Sequence, residues 1–326
     1  MSFRLPLVAA FALTPLPLAA QEMPDAGPGI TVTAARETLP DELVLPPDHI
    51  ITITIDGMPL RMLVTANASG PAAIDPAIPV RRQWRAAFQI LWDYGNDDVL
   101  RSGGVWRIAD FGDRKAQLPV MWSFGRPTLL ADGTIGIHHL PYKRIVMPLA
   151  APVGEQTVQR FPLQRFAGQR AMRVGTEIDA DGRKLKAIFA TDYTDNVVTA
   201  PTANWLATRF DGGFLPGSEG KLRMHFGVER RTRMMRLARP LELGDLLIDR
   251  FAVRIEDHGK ARDVGEAGEN DPRFDPNEIV VSERKPRGRV DMLTRIGRSQ
   301  ISHCSELTYD LALNEIRLAC GTPAAS

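Results

Sequence analysis

From Ile50 the chain alternates apolar and polar positions. Ile51, Ile53 and Ile55 are spaced by threonines, the chain turns at Asp56-Gly57, and Leu60, Met62 and Val64 resume the alternation. A period of two, β-branched side chains and an Asp-Gly turn predict a β-hairpin. The same arrangement returns in GTEIDADGRKLKAIFATDYTDNVVTAPTANWLA, which turns at Asp181-Gly182 and continues through Leu185, Ala187 and Phe189. Each hairpin runs into a small polar turn, TANASGP from Thr65 and ATDYTDN from Ala190, followed by apolar residues and a short helical stretch. The pattern predicts a two-fold internal repeat at a spacing of about 125 residues. The segments DGTIGIHHLPYKRIVMPL, from Asp132, and VDMLTRIGRSQISHCSELTYDLALNEIRLAC, from Val290, extend it, each with a glycine-bearing turn and a returning strand. Helical signal is confined to the turns around Val80 to Leu91 and Thr202 to Arg209. The expected fold is therefore mainly β, with two halves built alike.

Composition sets the boundaries. A positive charge at Arg4 precedes an apolar run from Leu5 to Ala20 that ends in small residues before Gln21, the order of a secretory signal at 1–20. Pro6, Pro15 and Pro17 argue against a spanning helix, and nothing after Ala20 approaches the roughly 18 apolar residues that a membrane span needs. The expected location is periplasmic or secreted. Residues 21–45 are rich in proline and acids and read as an extended arm. The rest divides into a first lobe at 46–150, a connection at 151–172 and a second lobe at 173–321, the last carrying a charged, glycine- and proline-rich loop at 259–289. A net charge of +1 over 326 residues disfavours nucleic acid as a partner. In an oxidising compartment the only cysteines, Cys304 and Cys320, are expected to form a disulfide, because two cysteines alone make a poor metal site. No cofactor is implied, and the oligomeric state stays open.

The paired hairpin-and-turn units resemble the bilobal aspartic proteases, pepsin-like or retropepsin-like, in which each lobe offers a strand ending in Asp-Thr-Gly. The first unit here reads Leu63-Val64-Thr65-Ala66-Asn67-Ala68-Ser69-Gly70-Pro71, and the second Ile188-Phe189-Ala190-Thr191-Asp192-Tyr193-Thr194-Asp195-Asn196-Val197-Val198-Thr199. Ala68, Ser69, Thr191 and Val197-Val198-Thr199 fit the family pattern. Thr65 and Ala190 stand at the two aspartate positions, and Asn67 and Asp192 at the glycine positions. The resemblance implies a two-lobed β fold with a cleft whose floor carries Thr65, Asn67, Ser69, Ala190, Thr191 and Asp192. Protease chemistry needs two facing carboxylates that share a proton, and neither Thr65 nor Ala190 supplies one. The reading that follows is an inactive relative that binds a peptide or protein segment in the cleft. One alternative is a divergent aspartic endopeptidase using displaced carboxylates, Asp192 with Asp75. Another is an envelope structural or inhibitor-like protein that binds through its outer surface.

Other constellations are read as structural. His138-His139 on a strand would point to opposite faces and serve no metal, so a turn or surface role is expected. His225, between Met224 and Phe226, is expected in a strand. Gly103-Gly104 and Gly212-Gly213 read as turns. The arginines from Arg230 to Arg239 are expected to line a solvated strand face, and Trp84, Trp92, Tyr94, Trp106 and Trp122 are assigned to core packing ahead of a cleft wall. No nucleophile elbow, phosphate loop or zinc-protease helix is present.

Overall fold

The two Asp-Gly turns start the same structure twice. In the computed structural model, which describes residues 41–93, 99–167, 172–255 and 292–321, Asp56 and Gly57 have φ of 49° and 74°, and Asp181 and Gly182 have 56° and 79°. Two consecutive left-handed residues make the tight turn whose twist suits paired strands. The expected signal at 1–20, the arm before residue 41, Tyr94 and the charged loop at 259–289 lie outside the described residues.

The chain is mainly β. Its first half forms β1 (Glu42–Val44), β2 (Ile50–Ile55), β3 (Met58–Val64), β4 (Ala72–Ile74), α1 (Ala77–Arg81), β5 (Phe88–Asp93), β6 (Val99–Asp110), β7 (Lys115–Trp122), β8 (Gly133–Ile135) and β9 (Arg144–Pro148). The second forms β10 (Gln156–Pro162), β11 (Gln164–Ala167), β12 (Met172–Ala180), β13 (Arg183–Ala190), β14 (Val197–Val198), α2 (Ala200–Arg209), β15 (Gly212–Arg223), β16 (Glu229–Leu243), β17 (Leu246–Arg254), β18 (Leu293–Gly297), β19 (Cys304–Asp310) and β20 (Glu315–Gly321). One sheet has the order β2-β3-β8-β4-β7-β6-β5. The other has β12-β13-β18-β14-β17-β16-β15, with β11 outside β12. Strand for strand, the order is the same. In each, the last strand of the unit (β8, β18) inserts beside the hairpin strand, parallel to β3 or β13, and antiparallel to β4 or β14 on its other side.

Burial explains why the alternation is kept. Ile53, Ile55, Leu60, Met62 and Val64 in the first hairpin, and Ile178, Leu185, Ala187 and Phe189 in the second, are all buried in a shared core. Each large apolar side chain there stabilises the fold by roughly 1.5–3 kcal/mol. A one-residue slip of either hairpin would turn these faces outward.

A third sheet, β1-β9-β19-β20-β10, gathers the ends of both halves, with β9 antiparallel to β19. Arg144 on β9 reaches Asp310 at 2.9 Å and Glu42 at 3.4 Å, and both carboxylates are almost fully buried. Burial pushes the Asp310 carboxyl up, but the Leu313 N–H and Arg144 outweigh it and hold the group below its ordinary range. Charges this deep persist only when paired.

Several local expectations change. Residues 151–172 are not a plain connection, since β10 pairs with β20 and β11 with β12. The helical reading of Val80 to Leu91 shrinks to α1: Gln83 turns left-handed (φ 52°), and Phe88 to Asp93 pair with β6. Gly103-Gly104 and Gly212-Gly213 lie in strands. A Cβ on Gly104 would overlap the Phe88 ring, so that glycine lets an aromatic lie across its own strand.

Cys304 and Cys320 face each other across β19 and β20 and are joined in a disulfide. The Cys304→Ser/Cys320→Ser double variant is expected to lose about 3 kcal/mol of unfolding free energy, the loop-entropy value for a cross-link of this span. Urea denaturation of the oxidised protein and the variant checks this.

Candidate functional site

The repeat brings the two polar turns together. Val64 pairs with Ile135 and Phe189 with Ile296, so Thr65 corresponds to Ala190, Ala66 to Thr191 and Asn67 to Asp192. The turns fold alike: the Ala68 N–H donates to the Thr65 carbonyl at 3.3 Å, and the Tyr193 N–H to the Ala190 carbonyl at 2.9 Å. Gly136, just after β8, and Gly297, at the end of β18, close the match, because a Cβ at either would overlap a carbonyl of the turn in the same half, Ala68 or Asp195. Only glycine allows so close an approach.

Between the turns lies one carboxylate. The Thr65 hydroxyl donates to Asp192 Oδ1 at 2.8 Å, and Asn67 Nδ2 donates to Asp192 Oδ2 at 3.2 Å. The Asn67 backbone N–H donates to Thr65 Oγ1 at 3.0 Å, and Arg295 Nε donates to Asn67 Oδ1 at 2.8 Å. The hydroxyl thus spends its proton on Asp192. Ala190 contributes a buried methyl group and Thr191 is buried, while Ser69 is half-buried at the edge and its carbonyl accepts the Met172 N–H at 2.7 Å. The structure therefore gathers Thr65, Asn67 and Asp192 into one cluster and leaves Asp75 out of it. Asp75 instead receives Arg126 Nε at 2.8 Å and the Ala77 N–H at 2.9 Å, so it caps α1 and pairs with an arginine.

Beside this cluster lies a cavity of about 110 Å³. Asn67 and Tyr193 form part of its wall, Arg173, Arg254 and Arg295 enter from β12, β17 and β18, and the β15–β16 hairpin tip supplies His225. The tip is anchored by Phe226, which is 1% exposed and packs with Ala73, Ile90, Leu100 and Met121, all from the first half. Phe226 is left-handed at φ 61°. His225 is accordingly in a single 3-10 turn between strands. Burial lowers its pKa, the Asp192 charge opposes this, and Arg295 and Arg173 add to the lowering. Burial also raises the Tyr193 and Tyr309 phenols.

His138 and His139 lie in a turn, as expected. The turn is of 3-10 type and brings their ring centroids within 4.2 Å. Burial pulls His138 down to about 3, with the neighbouring His139 adding to it, and lowers His139 despite its contact with the Gly70 carbonyl at 3.1 Å. The arginine run on β16 is only partly a solvated face. Arg230 is buried, Arg233 stacks over Phe214 at 4.4 Å, and Arg236 lies 3.5 Å from Asp249. Of the tryptophans, Trp84 and Trp122 pack against the core, Trp106 is exposed, and Trp92 lines the cavity.

Sequence reasoning missed Arg173, Arg254, Arg295 and Phe226. A signal existed for two of them: Arg254 and Arg295 interrupt otherwise apolar strands, FAVRIE and MLTRIG, and an arginine buried in a strand is rare without a polar purpose. No protein-family model matches this chain, and no curated protein matches it.

The buried His49 and the half-buried His138, His139 and His225 set a pH dependence. Each is held neutral in the fold and takes a proton more readily when unfolded, so stability is fullest above about 6.5 and falls as pH drops toward the folded values, about 3 for His138. The melting temperature is expected to decline steadily from pH 7 to pH 4, which a calorimetric series in buffers of matched ionic strength would measure. A flat profile would contradict the lowered pKa values of these rings.

Proposed function

We propose that this chain is an exported, catalytically inactive relative of the aspartic proteases, with two similar lobes and a cleft that holds a peptide or protein segment. The observation that carries the reading is the composition of the meeting point. Where the resemblance requires two carboxylates sharing a proton, the cluster has one, Asp192, facing a hydroxyl and an amide. Neither Thr65 nor Asn67 can act as the second acid or base near neutral pH. A single positioned acid or base is typically worth about 10² to 10⁴ in rate. The repeated strand order supports the two-lobed reading, and the signal-like 1–20 segment together with the disulfide supports export. A groove shaped for an extended chain can keep its backbone hydrogen bonding after its carboxylates are gone.

The endopeptidase reading keeps one observation in its favour, the placement of Asp192 between the two turns. Its proposed partner, Asp75, is occupied by Arg126 and by α1.

Incubating the purified protein with a random peptide library from pH 3 to 8, beside Asp192→Ala, separates the two. The expected result is no cleavage at any pH by either protein. Cleavage by the parent that disappears in Asp192→Ala would establish a divergent peptidase and sink the inactive reading.

A further inference from the structure

The cavity beside Asp192 has a distinctive lining. No aspartate or glutamate is among its lining residues, while three arginines and a histidine are. Arg254 and Arg295 are 9% and 5% exposed. Keeping guanidinium groups this deep requires acceptors. A guanidinium carries five N–H donors in a planar fork that matches a carboxylate, so each arginine can hold a protein partner and a ligand oxygen together.

A second observation points the same way. Trp92 Nε1 and Thr134 Oγ1, both on residues that line the cavity, are buried atoms without a hydrogen-bond partner among the described residues, and Thr134 is 2% exposed. Buried polar atoms are normally paired. An indole N–H only donates, and a threonine hydroxyl can donate, so both suit a ligand that brings acceptor oxygens. Size narrows the choice further. About 110 Å³ is room for roughly four waters at about 30 Å³ each. That accommodates a carboxylate on a short stem, not several residues of extended chain.

We propose that this cavity is a carboxylate-binding subsite, in which Arg173, Arg254 and Arg295 supply the charge-assisted donors and Trp92 and Thr134 complete the set. The proposal rests on the peptide-binding reading only for the ligand's identity: the carboxylate belongs to an acidic side chain or to the C-terminus of the bound segment. The chemistry of the subsite stands or falls separately.

The test therefore has two arms. In the first, thermal stability of the full mature chain at pH 7 is followed against glutarate and against neutral glutaramide at constant ionic strength, for the parent, Arg173→Met and Arg254→Met. The expected result is a saturable stabilisation by glutarate alone, with affinity about tenfold weaker in each variant. No stabilisation, equal stabilisation by glutaramide, or full glutarate affinity in both variants would overturn the proposal. The parent measurement decides even where a variant fails to fold. In the second arm, acetylated alanine-based heptapeptides carry one glutamate with an amidated end, a free C-terminus without glutamate, or neither charge. Preferred binding of the first or second identifies the carboxylate's source. Equal binding of all three would overturn the subsite and leave the peptide reading standing, while glutarate binding without any peptide binding would keep the subsite and remove the peptide reading.

Discussion

One carboxylate holds two turns of the chain against each other, and the geometry around it depends on that contact. Asp192 takes a proton donor on each oxygen from residues 127 and 125 positions away, Thr65 and Asn67. Asn67 is fixed in turn by Arg295 from a third strand. Within each half, Gly136 and Gly297 let the inserted strand approach its own turn closely, and the two turns are carried by sheets that share one strand order. Removing the Asp192 carboxylate would strand a hydroxyl and an amide in a buried setting, which costs about 1–3 kcal/mol per unsatisfied group. The same contact is what the proposed inactive reading rests on. The groups that satisfy Asp192 stand where a second carboxylate would have to be.

Much of this was legible in the sequence because it is written in short-range signals. Alternation at Ile51, Ile53 and Ile55, the Asp-Gly turns and the β-branched residues specify the hairpins without reference to anything distant. Repetition then converts two local readings into a relation between them, which is how Thr65 and Ala190, and Asn67 and Asp192, could be matched before any contact was known. The disulfide was legible for a different reason: with only two cysteines there is only one intramolecular pairing.

What escaped the sequence reading is what depends on long-range approach. Nothing local to Phe226 says that a hairpin tip from the second half will pack on Ala73, Ile90, Leu100 and Met121 of the first. The turn expected at His138 and His139 is a 3-10 turn, but the close approach of their rings had no local signal. Gly103 and Gly104 have the composition of a turn, yet their role is set by the Phe88 ring across the strand. Asp75 attracted attention as a spare carboxylate, but an acid just before a short helix is a helix-start signal, and the Ala77 N–H and Arg126 use it that way.

The hairpin tip also sets a condition on any ligand larger than the cavity. With Phe226 seated, the space beside Asp192 suits a carboxylate on a short stem, whereas the peptide-binding reading calls for an extended segment. The two are compatible if the tip lifts while a charged group stays anchored among the arginines. Exposing one buried phenylalanine costs roughly 1.5–3 kcal/mol, a sum that an extended segment recovers with a few backbone hydrogen bonds of about 1 kcal/mol each. On the proposed readings, the arginines would select the charge, and the seated Phe226 would set how much of the following chain must bind before the tip opens.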